Sequence, residues 1–430
     1  MLYDEMKYQD YLLSETDAIC EKLRDKGKDK LALLFGNCFP NTLATTTRVM
    51  EDGTTYVFTG DIPAMWLRDS SAQVHQYLPF CADNQPLSDL IAGLIRRQVF
   101  YVRKDPYANA FNPEENGAGH TTDRPLQGKW VFERKYEIDS LCYVLQLSEL
   151  FYEKTGRTDI LDDNYRLAAN LIVDTFITEQ HHGPSSPYRF FRDNTVYHDT
   201  IHNEGLGAPV AYTGMTWSGF RPSDDACTYG YLIPSNLFAV TVLRKLVPIA
   251  KDVLNDEPLA AKAGKLADEI EEGVKKYGIV DHPEFGKMYA YETDGMGNYV
   301  FMDDANVPSL IALPYIGYCA PDDEIYLNTR RFLLSEENPY YFKGKILAGL
   351  GSPHTPKGYV WHIGLTLQGL TATDPAEREK MLSMLESSDA GTGYMHEGVN
   401  ADDPMQYTRE WFAWSDSIFS ELVLRSLENE

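Results

Sequence analysis

Along most of this chain the apolar residues recur at helical spacing, and the helical stretches alternate with polar, loop-forming segments. Residues 3–26 predict a helix, and Leu31–Phe39 is an apolar run that stops at Pro40. Residues 41–62 are rich in Thr and Val around the turn at Asp52-Gly53 and predict a short β-hairpin. A helix is expected from Ser70, with Asp69 or Ser70 as N-cap, leaving Trp66, Arg68 and Asp69 in the loop before it. Further helices are predicted at 87–103, 137–156 and 162–180. Residues 222–246 read as a helix interrupted by Pro234, and 257–279 as an Ala/Glu/Lys helix on the outside. Residues 287–301 alternate around a Gly-rich turn and predict a second hairpin. Apolar stretches at 302–318, 360–370 and 414–427 are interleaved with more charged ones at 324–336 and 376–388. The segments 108–139 and 184–218 lack periodicity. Loops of that length in a folded domain usually carry function.

One pattern recurs. A polar knot precedes an apolar helix, and a more charged helix follows. The knots are Arg68-Asp69, Asp139, Asp224-Asp225, Asp303-Asp304, His362 and Asp416. Their spacing is too uneven for a solenoid, but they read as one structural unit used six times. The fold this predicts is mainly α: an (α/α)6 barrel of six inner and six outer helices, with short β-hairpins in the rim loops, as a single domain over residues 1–430. In such a ring the inner helix N-termini share a rim, and the knots converge on one cavity. The bland alternative is that each Asp simply caps a helix.

Apolar residues make up 43% of the chain, enough for a large core. The formal net charge of −25 argues against nucleic acid, anionic membranes and polyanionic substrates, and favours a neutral ligand. Aromatic residues make up 12%, with 28 Tyr, and carbohydrate sites use such side chains as stacking platforms. The six cysteines form no CxxC or metal-like spacing, which fits free thiols in a reducing compartment. No signal-like start and no apolar run of about 18 residues is present, so a cytoplasmic protein without membrane spans is expected. The sequence makes no statement about oligomeric state.

Carboxylates lining a cavity for a neutral ligand point to acid–base hydrolysis, and glycoside hydrolysis needs two carboxyl groups in different protonation states. The Asp224-Asp225 pair is a candidate acid, because adjacent carboxylates raise each other, although a helix N-terminus would oppose that. The competing reading is a helix cap. Glu397, in an irregular segment near Tyr394, Tyr407, Trp411 and Trp414, is the candidate for the second carboxylate, ahead of Asp402 and Asp403. His354 and His362 could contact ligand hydroxyls. The chain contains no HxH, HExxH, EF-hand loop, GxSxG, GxGxxG or P-loop, so neither a metal nor a cofactor is expected.

The motifs FTGDIPAMWLRDSSAQ, SGFRPSDDAC, YLIPSNLFAV, FMDDANVPSL, VWHIGLTLQGL and GYMHEG together resemble glycoside hydrolase family 125, from about Asn41 to Leu427. The resemblance implies an exo-acting α-1,6-mannosidase on an (α/α)6 barrel, inverting and metal-independent, acting on mannose-containing oligosaccharides. It implies Asp224 as general acid, with Asp225 as fallback, and Glu397 as general base. It further implies that Trp66, Arg68, Asp69, Arg221, Asp304 and His354 hold the terminal mannose. Inversion predicts a carboxyl separation of roughly 6.5–9.5 Å. The long loops at 109–129 and 184–218 are expected to wall the pocket. The alternatives are another (α/α)6 glycosidase or sugar epimerase, or a non-catalytic sugar-binding barrel.

Overall fold

In the computed structural model, which describes residues 8–183 and 185–428, the periodic segments become helices in two layers. The first half contains α1 (Tyr8–Asp25), α2 (Asp29–Asn41), α3 (Leu67–Ala72), α4 (Gln85–Lys104), α5 (Ile138–Thr155) and α6 (Asp163–Glu179). The second half contains the four-residue turn α7 (His202–Gly205), α8 (Ile233–Pro248), α9 (Glu257–Tyr277), α10 (Glu324–Leu333), α11 (His362–Leu370), α12 (Pro375–Glu386) and α13 (Ala413–Glu428). The part of the first expected helix before residue 8 lies outside the described residues.

The inner ring runs α3, α5 and α8 on one side and α11 and α13 on the other, with α13 closing back onto α3, and the segment 302–318 is tied to it by Tyr143 of α5, which donates to the Val307 carbonyl, and by Tyr315, which donates to Glu421 of α13. Around it lie α2, α4, α6, α9 and α12, each against an inner neighbour or an adjoining outer helix, and α10, which packs on the strand Gly286–Tyr289 and reaches α11 and α12 through Arg330. This is the expected (α/α)6 barrel. One large cluster of buried apolar side chains fills the space between the layers. Helix α8 and the turn after it, Ile233–Val253, are long and apolar enough to cross a membrane, but 72% of its most apolar 18-residue window is buried inside the protein, as an inner barrel helix must be.

Three expectations need correction. Residues 302–318 form turns, not a helix. Pro308 and Pro314 interrupt the backbone ladder, Gly317 sits at φ +78°, and the Asp303 carboxylate accepts the amides of Leu310 (2.9 Å) and Ile311 (3.0 Å). Pro234 does not interrupt a helix; it occupies the first turn of α8, where its missing N–H costs nothing. Residues 222–230 before it are turn and loop. The hairpin at 287–301 is shorter than expected, pairing Glu292–Thr293 with Tyr299–Val300, while Gly286–Tyr289 pairs back with Ile279–His282.

Short antiparallel pairings stitch the rim. Thr47–Val49 pairs with Thr55–Val57 as the expected first hairpin. Met65–Trp66 pairs with Ala110–Phe111, which pairs with Val131–Glu133. Tyr359–Trp361 pairs with Gly398–Asn400, setting Trp361 opposite Gly398 and so Glu397 beside the start of α11.

Candidate active site

The strand at Met65–Trp66 runs straight into α3, so Arg68 and Asp69 lie in the first helical turn rather than in a preceding loop. The N-cap of α3 is Trp66, without a side-chain cap bond, so Asp69 is free for other partners. Its carboxylate accepts Thr59 Oγ1 at 2.7 Å and lies 3.3 Å from Arg68 Nε. Gly60 makes this corner possible. It sits at φ +132°, and a Cβ there would lie 2.6 Å from the Trp411 carbonyl oxygen. The backbones at Gly60 and Phe412 therefore bridge, joining the segments around Asp69 and Glu397.

Between them lies a cavity of about 240 Å³, lined by side chains that include Trp66, Arg68, Asp69, Asp224, His354 and Glu397. Six of the nine expected site residues thus meet in one place. Trp361, Asn306, Arg409, Phe412 and Trp414 also line it and were not singled out as site residues. Trp414 and Arg409 were legible only as part of an aromatic-rich segment. Neither long loop, 109–129 or 184–218, contributes to this lining.

Arg221, Asp225 and Asp304 do not line the cavity; they stand behind it. The Arg221 guanidinium is buried and donates from Nε to Glu292 at 2.6 Å. Asp304 accepts Ser223 Oγ at 2.6 Å and the Asn306 amide at 3.1 Å. Asp225 lies 2.9 Å from His354 Nδ1 and, with Arg221, faces a neighbouring cavity of about 410 Å³. Adjacent residues point apart here because Asp224 adopts a left-handed backbone, φ +67°, which few residues but Asp, Asn and Gly take readily. Asp224 is therefore no helix cap. Its side chain enters the cavity while that of Asp225 turns away.

Two of the knots support the site from a distance. His362 Nδ1 accepts the His396 amide at 2.8 Å, and Asp416 accepts the Met395 amide at 2.9 Å. Both pin the segment that carries Glu397. Asp139 acts through Arg68, whose Nη1 donates to it at 3.2 Å.

The two candidate carboxylates have opposite electrostatic surroundings. Burial alone would push Asp224 up, but the Arg68 guanidinium, with a hydrogen bond from Glu137 and the Lys135 and His354 charges, holds it well below the usual carboxylate range. Arg68 Nη2 approaches Asp224 Oδ1 at 3.2 Å. Glu397 is raised by burial, against which Arg409, His354 and Thr408 pull it back down. Thr408 Oγ1 donates to Glu397 Oε2 at 3.0 Å, and Arg409 Nη1 lies 3.8 Å from Oε1. Burial opposes the charge on His354, but the bond to Asp225 and the Asp225, Glu397 and Asp224 carboxylates raise it to about 9.

Two tryptophans of the cavity lining have buried indole nitrogens without a hydrogen-bond partner in the protein, Trp66 Nε1 and Trp414 Nε1. Buried polar atoms are nearly always bonded, so two orphan donors on side chains of the lining suit a site for a hydroxylated ligand. Among the described residues no group of His, Cys, Asp and Glu side chains is arranged to hold a metal ion.

A family model described as the metal-independent α-mannosidases of glycoside hydrolase family 125 matches residues 28–424. The chain belongs to this family. The family 125 chain is 48% identical to a Streptococcus pneumoniae metal-independent α-mannosidase solved in a non-productive complex with α-1,6-mannobiose. That likeness covers 97% of this chain and 98% of the other, with a TM-score of 0.94. It is also 40% identical to the meiotically up-regulated gene 157 protein of Schizosaccharomyces pombe, over 95% of this chain and 84% of that protein. A bacterial glucoamylase solved with acarbose shares the fold alone, at 14% identity and a TM-score of 0.60, over 92% of this chain and 56% of that one. Family 125 membership makes this chain an α-mannosidase of the glycoside hydrolases on an (α/α)6 barrel.

Proposed function

We propose that this α-mannosidase is exo-acting, removes terminal α-1,6-linked mannose from oligosaccharides, and inverts the anomeric centre with Asp224 as acid and Glu397 as base. The observation that carries this reading is the cavity itself. Two carboxylates in contrasting environments share about 240 Å³ with two tryptophans whose buried indole N–H groups have no partner within the protein. That volume lies just under the roughly 300–1,000 Å³ of drug-sized sites, which suits one terminal sugar. The α-1,6-mannobiose bound by the pneumococcal relative supports the linkage.

In this mechanism Asp224 protonates the glycosidic oxygen, and Glu397 takes a proton from a water that attacks the opposite face of the ring. A base works best with a pKa drawn toward the operating pH while it stays ionised. Burial lifts Glu397, while Arg409, His354 and the Thr408 hydroxyl favour its charged form, the two tendencies a base needs. His354 thus serves the base through its charge, while Asp225 holds its ring from behind. Room for the water calls for a carboxyl separation of roughly 6.5–9.5 Å.

The test is a panel of α-1,2-, α-1,3- and α-1,6-mannobiose and a longer α-1,6-mannan chain, with products resolved over time. Free mannose released one unit at a time from the α-1,6 substrates alone is the expected result. Internal cleavage, or preference for another linkage, would overturn the specificity.

A further inference from the structure

The acid of this mechanism must carry a proton, yet the Arg68 guanidinium beside Asp224 favours its ionised form. The cluster behind it accounts for this. Arg68 faces four carboxylates: Asp69 (3.3 Å from Nε), Glu137 (2.6 Å from Nη1), Asp139 (3.2 Å from Nη1) and Asp224 (3.2 Å from Nη2). Lys135, the other cation touching Asp224, donates to its backbone oxygen at 2.8 Å and is otherwise engaged with Asp199 at 2.7 Å. One guanidinium cannot balance four buried anions, and an unpaired buried charge costs several kcal/mol, so the cluster must hold protons.

We propose that Glu137 is the proton store for Asp224, holding in the resting enzyme the proton that Asp224 delivers to the departing sugar. The proposal rests on the assignment of Asp224 as acid. Glu137 Oε1 and Asp224 Oδ1 both lie at Asn109 Nδ2, at 3.3 and 3.4 Å, and both carboxyl groups converge on the Arg68 guanidinium. Two carboxyl groups brought together in this way share one proton. The other Glu137 oxygen is taken by Arg68 and by Ser140 Oγ at 2.8 Å, so the proton belongs on Oε1, beside Asp224. The Glu137 side chain is 0% exposed and that of Asp224 26%, so at rest the charge stays on the wetter partner.

Sugar binding strips water from Asp224 and removes that difference. The O–H bond on Glu137 then breaks and one forms on Asp224. Asp224 passes the proton to the glycosidic oxygen as the C1–O bond breaks. Glu397 takes one proton from the attacking water and gives it to solvent. After product leaves, the Glu137–Asp224 pair takes one proton back, which closes the balance.

Glu137→Gln tests this, because glutamine copies a neutral glutamic acid in size and has no proton to give. Its kcat is compared on α-1,6-mannobiose and on 2,4-dinitrophenyl α-mannoside, whose leaving group departs unprotonated. The expected loss is about 10²-fold or more on the disaccharide, as for removal of a general acid, and only a few-fold on the aryl substrate. Asp224→Asn should show the same selectivity, whereas Asp139→Asn, which also strips a partner from Arg68, should lower both substrates alike. If Asp224→Asn is selective and Glu137→Gln is not, the proton store is wrong and the acid assignment survives. If neither is selective, both fall. A Glu137→Gln chain that fails to fold would mean that Glu137 is charged in the native state, which also overturns the proposal.

Discussion

The inner and outer helices of this barrel begin differently. Outer helices α4, α6, α9, α10 and α12 start on Asn84, Asp162, Asp256, Asp323 and Asp374, each of which accepts a first-turn amide with its side chain. Among the outer helices only α2, which starts on Lys28, lacks such a cap. Inner helices α3, α5, α8 and α11 start on Trp66, Glu137, Leu232 and Trp361, and none of these makes a side-chain cap bond. The same residue types are therefore used in two ways. On the outside a carboxylate satisfies the helix end. On the inside the helix ends are held by short strands and neighbouring loops, so Arg68, Asp69, Glu137 and Asp139 are free to build the cavity and its charge cluster.

Five substitutions test that contrast. The largest effect belongs to the cavity carboxylates. Asp224→Ala and Glu397→Ala should each lower kcat on α-1,6-mannobiose by about 10²–10⁴-fold with an unchanged melting profile, read by steady-state kinetics and calorimetry. An undiminished rate in either would remove that residue from the chemistry.

Arg68→Met comes next. It leaves Asp69, Glu137, Asp139 and Asp224 without their common counter-charge, and breaking a buried pair on one side costs roughly 3–5 kcal/mol. Denaturant unfolding should register that loss. A neutral result would mean the cluster is already neutral without Arg68.

His354 gives a smaller, pH-dependent effect. Its pKa is raised to about 9 in the folded chain, mainly by Asp225 against the opposing effect of burial, while the unfolded value is about 6.5. A raised histidine stabilises fully below the unfolded value and loses that contribution as pH rises through the folded one. Wild-type stability should therefore fall between about pH 6.5 and 9 relative to His354→Gln. Parallel pH profiles for the two proteins would contradict the Asp225–His354 pairing.

The smallest effect belongs to an outer cap. Asp256→Ala removes the side-chain bond to the Leu259 amide (3.0 Å) and should cost about 1 kcal/mol of stability with kcat unchanged. A kinetic defect there would break the division between the two layers.

Much of this was readable from residue order. Five of the six outer helices start on an Asn or Asp cap, so their starts follow from local rules. The (α/α)6 ring and the meeting of Asp224 with Glu397 followed from the recurring knots and the family motifs. What escaped depended on contacts distant in sequence. Nothing local marks Glu137 as more than a helix start; its role comes from Arg68, 69 residues earlier, and Asn109. Arg221, Asp225 and Asp304 sit in the same motifs as cavity residues, but the left-handed turn at Asp224 sends its neighbour to the other side of the wall. The segment 302–318 is apolar enough for a helix, and only its two prolines and the bonds to Asp303 explain why it forms turns.

The central claim is that Asp224 and Glu397 act from opposite faces of one sugar ring. Proton NMR of the first product released from α-1,6-mannobiose tests it directly. β-Mannose should appear first, with α-mannose growing in only at the rate of mutarotation. α-Mannose as the first product would mean retention through a covalent intermediate, and would contradict the acid–base pairing.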